Sequence, residues 1–152
     1  MKPLAVLLFT FALALAATWL WWGQPGWLLA GNVALGVMLV FTGVAHFPYL
    51  AGMLQMLPAW LPARRAWVLG TGVVEVVLGL GLLWPTTRPL AAGTTIVFLL
   101  LIFPANIIAA FKGLNYQTGT LDGPGPRYLL FRGPLQTFFI AWAWYFGLHL
   151  AA

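Results

Sequence analysis

Five stretches of the chain, residues 3–22, 27–47, 67–84, 89–111 and 128–148, each hold at most one formally charged side chain. Each is close to the ~20 residues that a helix rising ~1.5 Å per residue needs to cross a ~30 Å hydrocarbon layer. The stretches are apolar on every face instead of alternating, so a membrane β-barrel is excluded and the backbone groups must bond within helices. Only 6% of the residues are charged and 62% are apolar, against roughly 25% charged in an ordinary soluble domain. The expectation is an all-α fold: one integral membrane helical bundle over residues 1–152, with five transmembrane helices and an interfacial segment near 49–62.

Trp and Tyr gather at the ends of these stretches, at Trp19, Trp21, Trp22, Trp27, Tyr49, Trp60, Trp67, Trp84, Tyr128, Trp144 and Tyr145, as in the aromatic belts of membrane proteins. The first stretch, with Lys2 and the small residues Ala14 and Ala16, has some marks of a secretory signal. Its apolar run continues through Trp22, and it is expected to be a retained span. The chain has no cysteine, which removes disulfides, thiol redox relays and cysteine-ligated clusters. Its net charge of +5 sits at span ends and not on one polar face, so it speaks for orientation and against nucleic acid. With five spans, Lys2, Arg64, Arg65, Lys112 and Arg127 share one side and Arg88 lies on the other. The positive-inside bias then places the N-terminus in the cytoplasm and the C-terminus outside.

The outer turns, GQPG and PTTR, are too short to hold a site. In the first cytoplasmic connection, Leu50, Met53, Leu54 and Leu57 recur at helical spacing between Pro48 and Pro58, which predicts a short helix in the interface that acts as a lid. The second, GLNYQTGTLDGPGPR, reads either as an ordered turn or as a mobile loop. No internal repeat of the kind found in transporters is present.

A carboxylate in mid-span costs several kcal/mol, so Glu75 should face the bundle interior. Thr71, Gly72, Leu78 and Gly79 share its face, and Asn32, Gly36, Leu39, Gly43 and His46 form a matching stripe in the second span; the two faces are expected to pack together. In IFPANIIAAF, Pro104 deprives the Leu100 carbonyl of its helical partner near Asn106. Arg132 and Gln136 lie one turn apart in the last span, with Phe139, Ile140 and Ala143 continuing their face. Glu75 lies ~12 Å deep, with His46, Asn106 and Arg132 shallower, and side chains lean toward their own helix N-terminus. His46, Glu75, Asn106, Arg132 and Gln136 are therefore expected to form a polar pocket open to the cytoplasm.

The strings FTGVAHFPY, LPAWLP, GVVEVVLGLGLLWPTTR, FPANIIAA and FRGPLQTFFIAW, in this order from about Gly36 to Trp144, resemble the DoxX-like family of small membrane proteins. The resemblance implies a four-helix core, with residues 3–22 as an added N-terminal helix, in a multi-pass protein of the bacterial inner membrane. It also implies recurrent polar positions at His46, Glu75, Asn106, Arg132 and Gln136. The family takes its name from a thiosulfate:quinone oxidoreductase subunit, and its distant relatives include a chaperone of receptor assembly. Most members have no assigned activity, and this chain lacks the cysteines of some redox-linked members.

Bland readings stand beside these. Glu75 is either a packing pin or a ligand or proton site. A histidine near a helix end is more often a cap than a catalyst. Asn106 and Gln136 suit interhelical bonding, and Arg132 can snorkel. No metal site is expected from His46 and Glu75 alone, and no haem, because His149 falls ~25 Å from His46 by helical rise. Three functions follow from the residues and the resemblance. The favoured one is binding of a small amphipathic molecule, a quinone or lipid headgroup, in the polar pocket. The others are an assembly factor that packs against another membrane protein or a second copy, and an oxidoreductase subunit in which Glu75 and His46 move protons to a quinone.

Overall fold

A computed structural model describes residues 2–150. Met1, Ala151 and Ala152, the ends of the domain expected over 1–152, lie outside the described residues. The order is α1 (Lys2–Trp22), α2 (Trp27–Ala45), a short α3 (Leu50–Leu54), α4 (Arg64–Gly81), α5 (Arg88–Phe111), a 3-10 turn (Gly125–Tyr128), α6 (Leu129–Trp144) and a π-helical turn (Tyr145–His149). Among the described residues there is no strand, and an isolated bridge pairs Asn115 with Thr120. Three helices, α1, α2 and α5, are long and apolar enough to cross a membrane. The other two long helices differ in composition and continuity. α4 has 18 residues and carries Arg64, Arg65 and Glu75, and α6 has 16 residues before the π turn extends it to His149.

The tightest packing joins α2 to α4, antiparallel, through two glycine pairs. A Cβ on Gly36 would lie 2.7 Å from the Gly79 carbonyl oxygen, and one on Gly79 2.6 Å from that of Gly36. Seven residues along, a Cβ on Gly43 would lie 2.6 Å from the Gly72 oxygen. Only hydrogen fits at these positions, so the backbones approach as small residues allow. The core beside this seam holds Leu35, Leu39, Leu78, Leu82, Leu99, Phe139 and Ala143.

α1 lies on the outside of the bundle, with Leu7 and Thr18 its buried residues. Thr18 ties it to α2: its hydroxyl donates to the Leu15 carbonyl at 2.9 Å and accepts from the Gly26 N–H at 2.8 Å. Near the same end of the bundle the π turn brings Phe146 and Gly147 inward. Asn32 donates from Nδ2 to the carbonyls of Leu28 and Phe146, both at 2.8 Å, and Trp142 donates from Nε1 to Gly31 at 3.0 Å. Arg88, on the first turn of α5, donates from Nε to Leu82 at 3.1 Å and so caps the closing carbonyls of α4.

At the other end, the connection after α2 and the connection after α5 form one cap. Lys112 Nζ donates to the Gln55 carbonyl at 2.8 Å, and Gln55 Nε2 donates to that of Gly119 at 3.0 Å. The Tyr49 and Tyr116 rings meet edge to face at 6.0 Å, and Gly52 lies against the Tyr116 carbonyl where a Cβ would collide. The α5–α6 connection is an ordered turn: Asn115 N–H bonds Thr120 O at 2.9 Å, and Gly119, at φ +77°, bonds back to Asn115 O at 2.8 Å. The short helix expected between Pro48 and Pro58 spans Leu50–Leu54. Pro58 disfavours helical backbone at Leu57, and turns take over from Gln55.

Candidate functional site

His46 is the C-cap residue of α2. It sits against α4 because Gly72 makes room for it, a Cβ there falling 2.7 Å from His46 Cβ. Its Nδ1 lies 2.7 Å from the Val68 carbonyl and 3.4 Å from the Thr71 hydroxyl. A carbonyl only accepts, so Nδ1 carries the hydrogen. Thr71 itself donates to Trp67 and Val68, both at 2.9 Å. The other ring nitrogen, Nε2, faces Glu75 Oε1 at 3.8 Å. Glu75 is 5% exposed and lodges beside Gly43, whose missing Cβ would sit 3.1 Å from Glu75 Cβ. Its second oxygen, Oε2, is buried with no hydrogen-bond partner among the described residues.

The remaining residues lie on α5 and α6 and bond among themselves. Arg132 donates from Nε to Asn106 Oδ1 at 3.3 Å, and Asn106 Nδ2 donates to Ile102 O at 3.2 Å. Asn106 thus uses the Ile102 carbonyl and not the one that Pro104 frees at Leu100. Gln136, 4% exposed, donates from Nε2 to Leu99 O, while its own Oε1 finds no partner among the described residues. The structure therefore pairs His46 with Glu75, pairs Asn106 with Arg132, and joins Gln136 to the α5 backbone. No ion pair within 4.0 Å links Arg132 to Glu75 among the described residues.

Several residues that close the site were not assigned to it from the sequence. Tyr116 packs under the cap, and burial pushes its phenol above the ordinary range, with Tyr128 adding to the effect. Gln55 and Lys112 hold the cap shut over the α2–α4 end. Their bonds join residues 57 and 64 positions apart, which no local pattern signals. Two surface grooves, of about 330 Å³ beside Leu15, Ala16, Trp19 and Pro25 and about 340 Å³ beside Pro89, Leu90, Gly93, Thr94 and Val97, do not border the cluster. Chemically, the His46–Glu75 pair can hold one proton between its facing atoms, and the two unpartnered oxygens can accept hydrogen bonds.

Comparison with curated proteins and with solved structures finds no match to either. The DoxX-like resemblance is corrected, because the family model that matches is a different one and no DoxX match accompanies it. The match begins within α2, leaving α1 outside it. Matched over residues 35–147, well over half of its length, the chain belongs to the family described as Domain of unknown function (DUF8561).

Proposed function

We propose that the protein is a five-span protein of the inner membrane that binds the polar head of a small amphipathic molecule at the Glu75 cluster. α4 and α6 are the fourth and fifth spans, besides the three helices of sufficient length and apolarity. The apolar part of α4 runs on to Trp84 once Arg64 and Arg65 are set at the headgroups, and α6 with its π turn covers Leu129 to His149. The end that carries the cap holds Lys2, Arg64, Arg65, Lys112 and Arg127 and is the cytoplasmic one.

The observation that carries the binding reading is the pair of buried oxygens, Glu75 Oε2 and Gln136 Oε1, without a donor among the described residues. Polar atoms left so in a low-dielectric interior are costly, and sites that hold ligands are where such costs persist. Asn106 and Arg132 are only half-buried and give the cluster an edge toward the surface. The test is extraction of lipids and quinones from protein purified in mild detergent, followed by mass analysis. A bound amphiphile should accompany the native chain and be depleted in Glu75→Gln, with thermal unfolding showing that the variant still folds. Equal occupancy in the two would remove Glu75 from the site.

A further inference from the structure

The hydrogen-bond inventory of the bundle interior is lopsided. Among the described residues, the buried side-chain atoms without a partner are Asn32 Oδ1, Glu75 Oε2 and Gln136 Oε1, all of them oxygens. The interior donors are already committed. Asn32 Nδ2 serves two carbonyls, Gln136 Nε2 serves Leu99, the Thr95 hydroxyl serves Ala91 at 2.7 Å, and the Thr42 hydroxyl, the side-chain donor beside Glu75, serves Met38 and Leu39 at 3.1 Å. His46 Nδ1 is held by Val68. One further proton on the His46–Glu75 pair satisfies Nε2 and Oε1, which face each other, and leaves Oε2 as it was. Among the buried side-chain atoms, acceptors are left over and donors are not.

Resting on the binding reading above, we propose that the head accommodated by Glu75 and Gln136 is a hydrogen-bond donor, a neutral hydroxyl on an apolar tail, and that the site discriminates against heads that only accept, such as ethers, esters and oxidised quinones. Arg132, one turn from Gln136 on the same face of α6, weighs against a cationic head. A single hydroxyl meets Glu75 Oε2, and a second, or a water it orders, meets Gln136 Oε1. Long-chain alcohols, diacylglycerols and quinols all carry this group, and matched probes tell them apart. A site that hydrogen-bonds a ligand hydroxyl rejects the analogue lacking it far more strongly than an apolar pocket rejects a missing methylene.

The experiment uses the full chain in detergent and follows tryptophan fluorescence with paired probes: dodecanol against its methyl ether, a short-tailed ubiquinol against its quinone, and a diacylglycerol against its methyl ether. The proposal expects the hydroxyl member of at least one pair to bind roughly tenfold or more tightly than its partner, and the preference to collapse in Glu75→Gln, whose amide supplies the missing donor. Where that variant does not fold, Gln136→Met removes the other oxygen at similar volume and should shrink the preference. Equal binding within every pair, as when water alone meets these oxygens, overturns the donor rule and leaves the binding reading standing. Failure of every probe to bind overturns both.

Discussion

Two glycines in α4, two positions apart, should respond to alanine in opposite ways. At Gly72 an added Cβ would lie 2.7 Å from His46 Cβ and 2.9 Å from the Gly43 carbonyl oxygen; at Gly70 it would meet nothing within 4 Å. Ordinary contact begins at 3.4 Å, so Gly72→Ala forces the imidazole to retreat by the 0.7 Å difference. Taken along the 2.7 Å bond from Nδ1 to Val68 O, that retreat stretches it past the ~3.2 Å normal limit. Losing it costs about 1 kcal/mol, and overpacking adds about 1–3 kcal/mol. Against this, alanine favours a helix interior over glycine by about 0.5–1 kcal/mol. The expected net effect is a loss of roughly 1–3 kcal/mol for Gly72→Ala and a gain of up to about 1 kcal/mol for Gly70→Ala. Unfolding by SDS titration in mixed micelles, read by tryptophan fluorescence, measures both. Coincident midpoints for the two variants would refute the glycine seam and the seating of His46 on it.

Four further outcomes are expected. Because the native chain has no cysteine, Thr118→Cys and Thr86→Cys each create a sole thiol; an impermeant maleimide added outside intact cells should label Thr86→Cys alone, and the reverse pattern would invert the orientation. Trp142→Phe keeps a ring against Phe11 and Phe146 but loses the bond to Gly31, and thermal unfolding should show a deficit of about 1 kcal/mol. Lys112→Ala releases the Gln55 carbonyl, so limited proteolysis between 113 and 124 should accelerate while global stability barely moves; an unchanged cleavage rate would mean the cap does not depend on this bond. The Tyr116 phenol is raised by burial, so the fold favours its neutral form: the contribution is complete below the ordinary tyrosine value near 10 and is lost as pH climbs through the raised one. Ultraviolet titration should show the last-ionising phenol vanish in Tyr116→Phe, and an identical alkaline profile would place Tyr116 in solvent.

The helices were legible because an apolar run of this length has few alternatives to a helix; the ends of α1, α2, α4 and α5 differ from expectation by three residues or fewer, and α6 stops at Trp144, where the π turn takes over. The α2–α4 seam was legible too, since Gly36, Gly43, Gly72 and Gly79 recur at spacings that keep one face. Depth along the helices put His46 near Glu75, but the hydrogen bond that fixes its tautomer runs to a backbone carbonyl, Val68 O, which carries no side-chain signal. Arg132 was placed in a common pocket with Glu75 or snorkelling outward, and its Nε is bonded to the neutral Asn106 amide. The cap escaped because Gln55, Lys112 and Gly119 meet through backbone carbonyls across long separations. The π turn escaped because its contacts are tertiary: Gly147 lies against Ala92, and Asn32 donates to the Phe146 carbonyl.

The two glycine contacts leave α2 and α4 one setting along each other. Slipping one rod past the other by a turn, about 5.4 Å, would press Gly36 onto Glu75 or Leu83 where only hydrogen fits. This pair serves as the chassis of the molecule, and the helix-weakening residues fall on the opposite pair. There α5 and α6 each carry a proline inside the helix, Pro104 and Pro134, close to Asn106 and Arg132. On the proposed binding reading, a guest from the lipid would enter on the proline side, with Glu75 on the fixed pair.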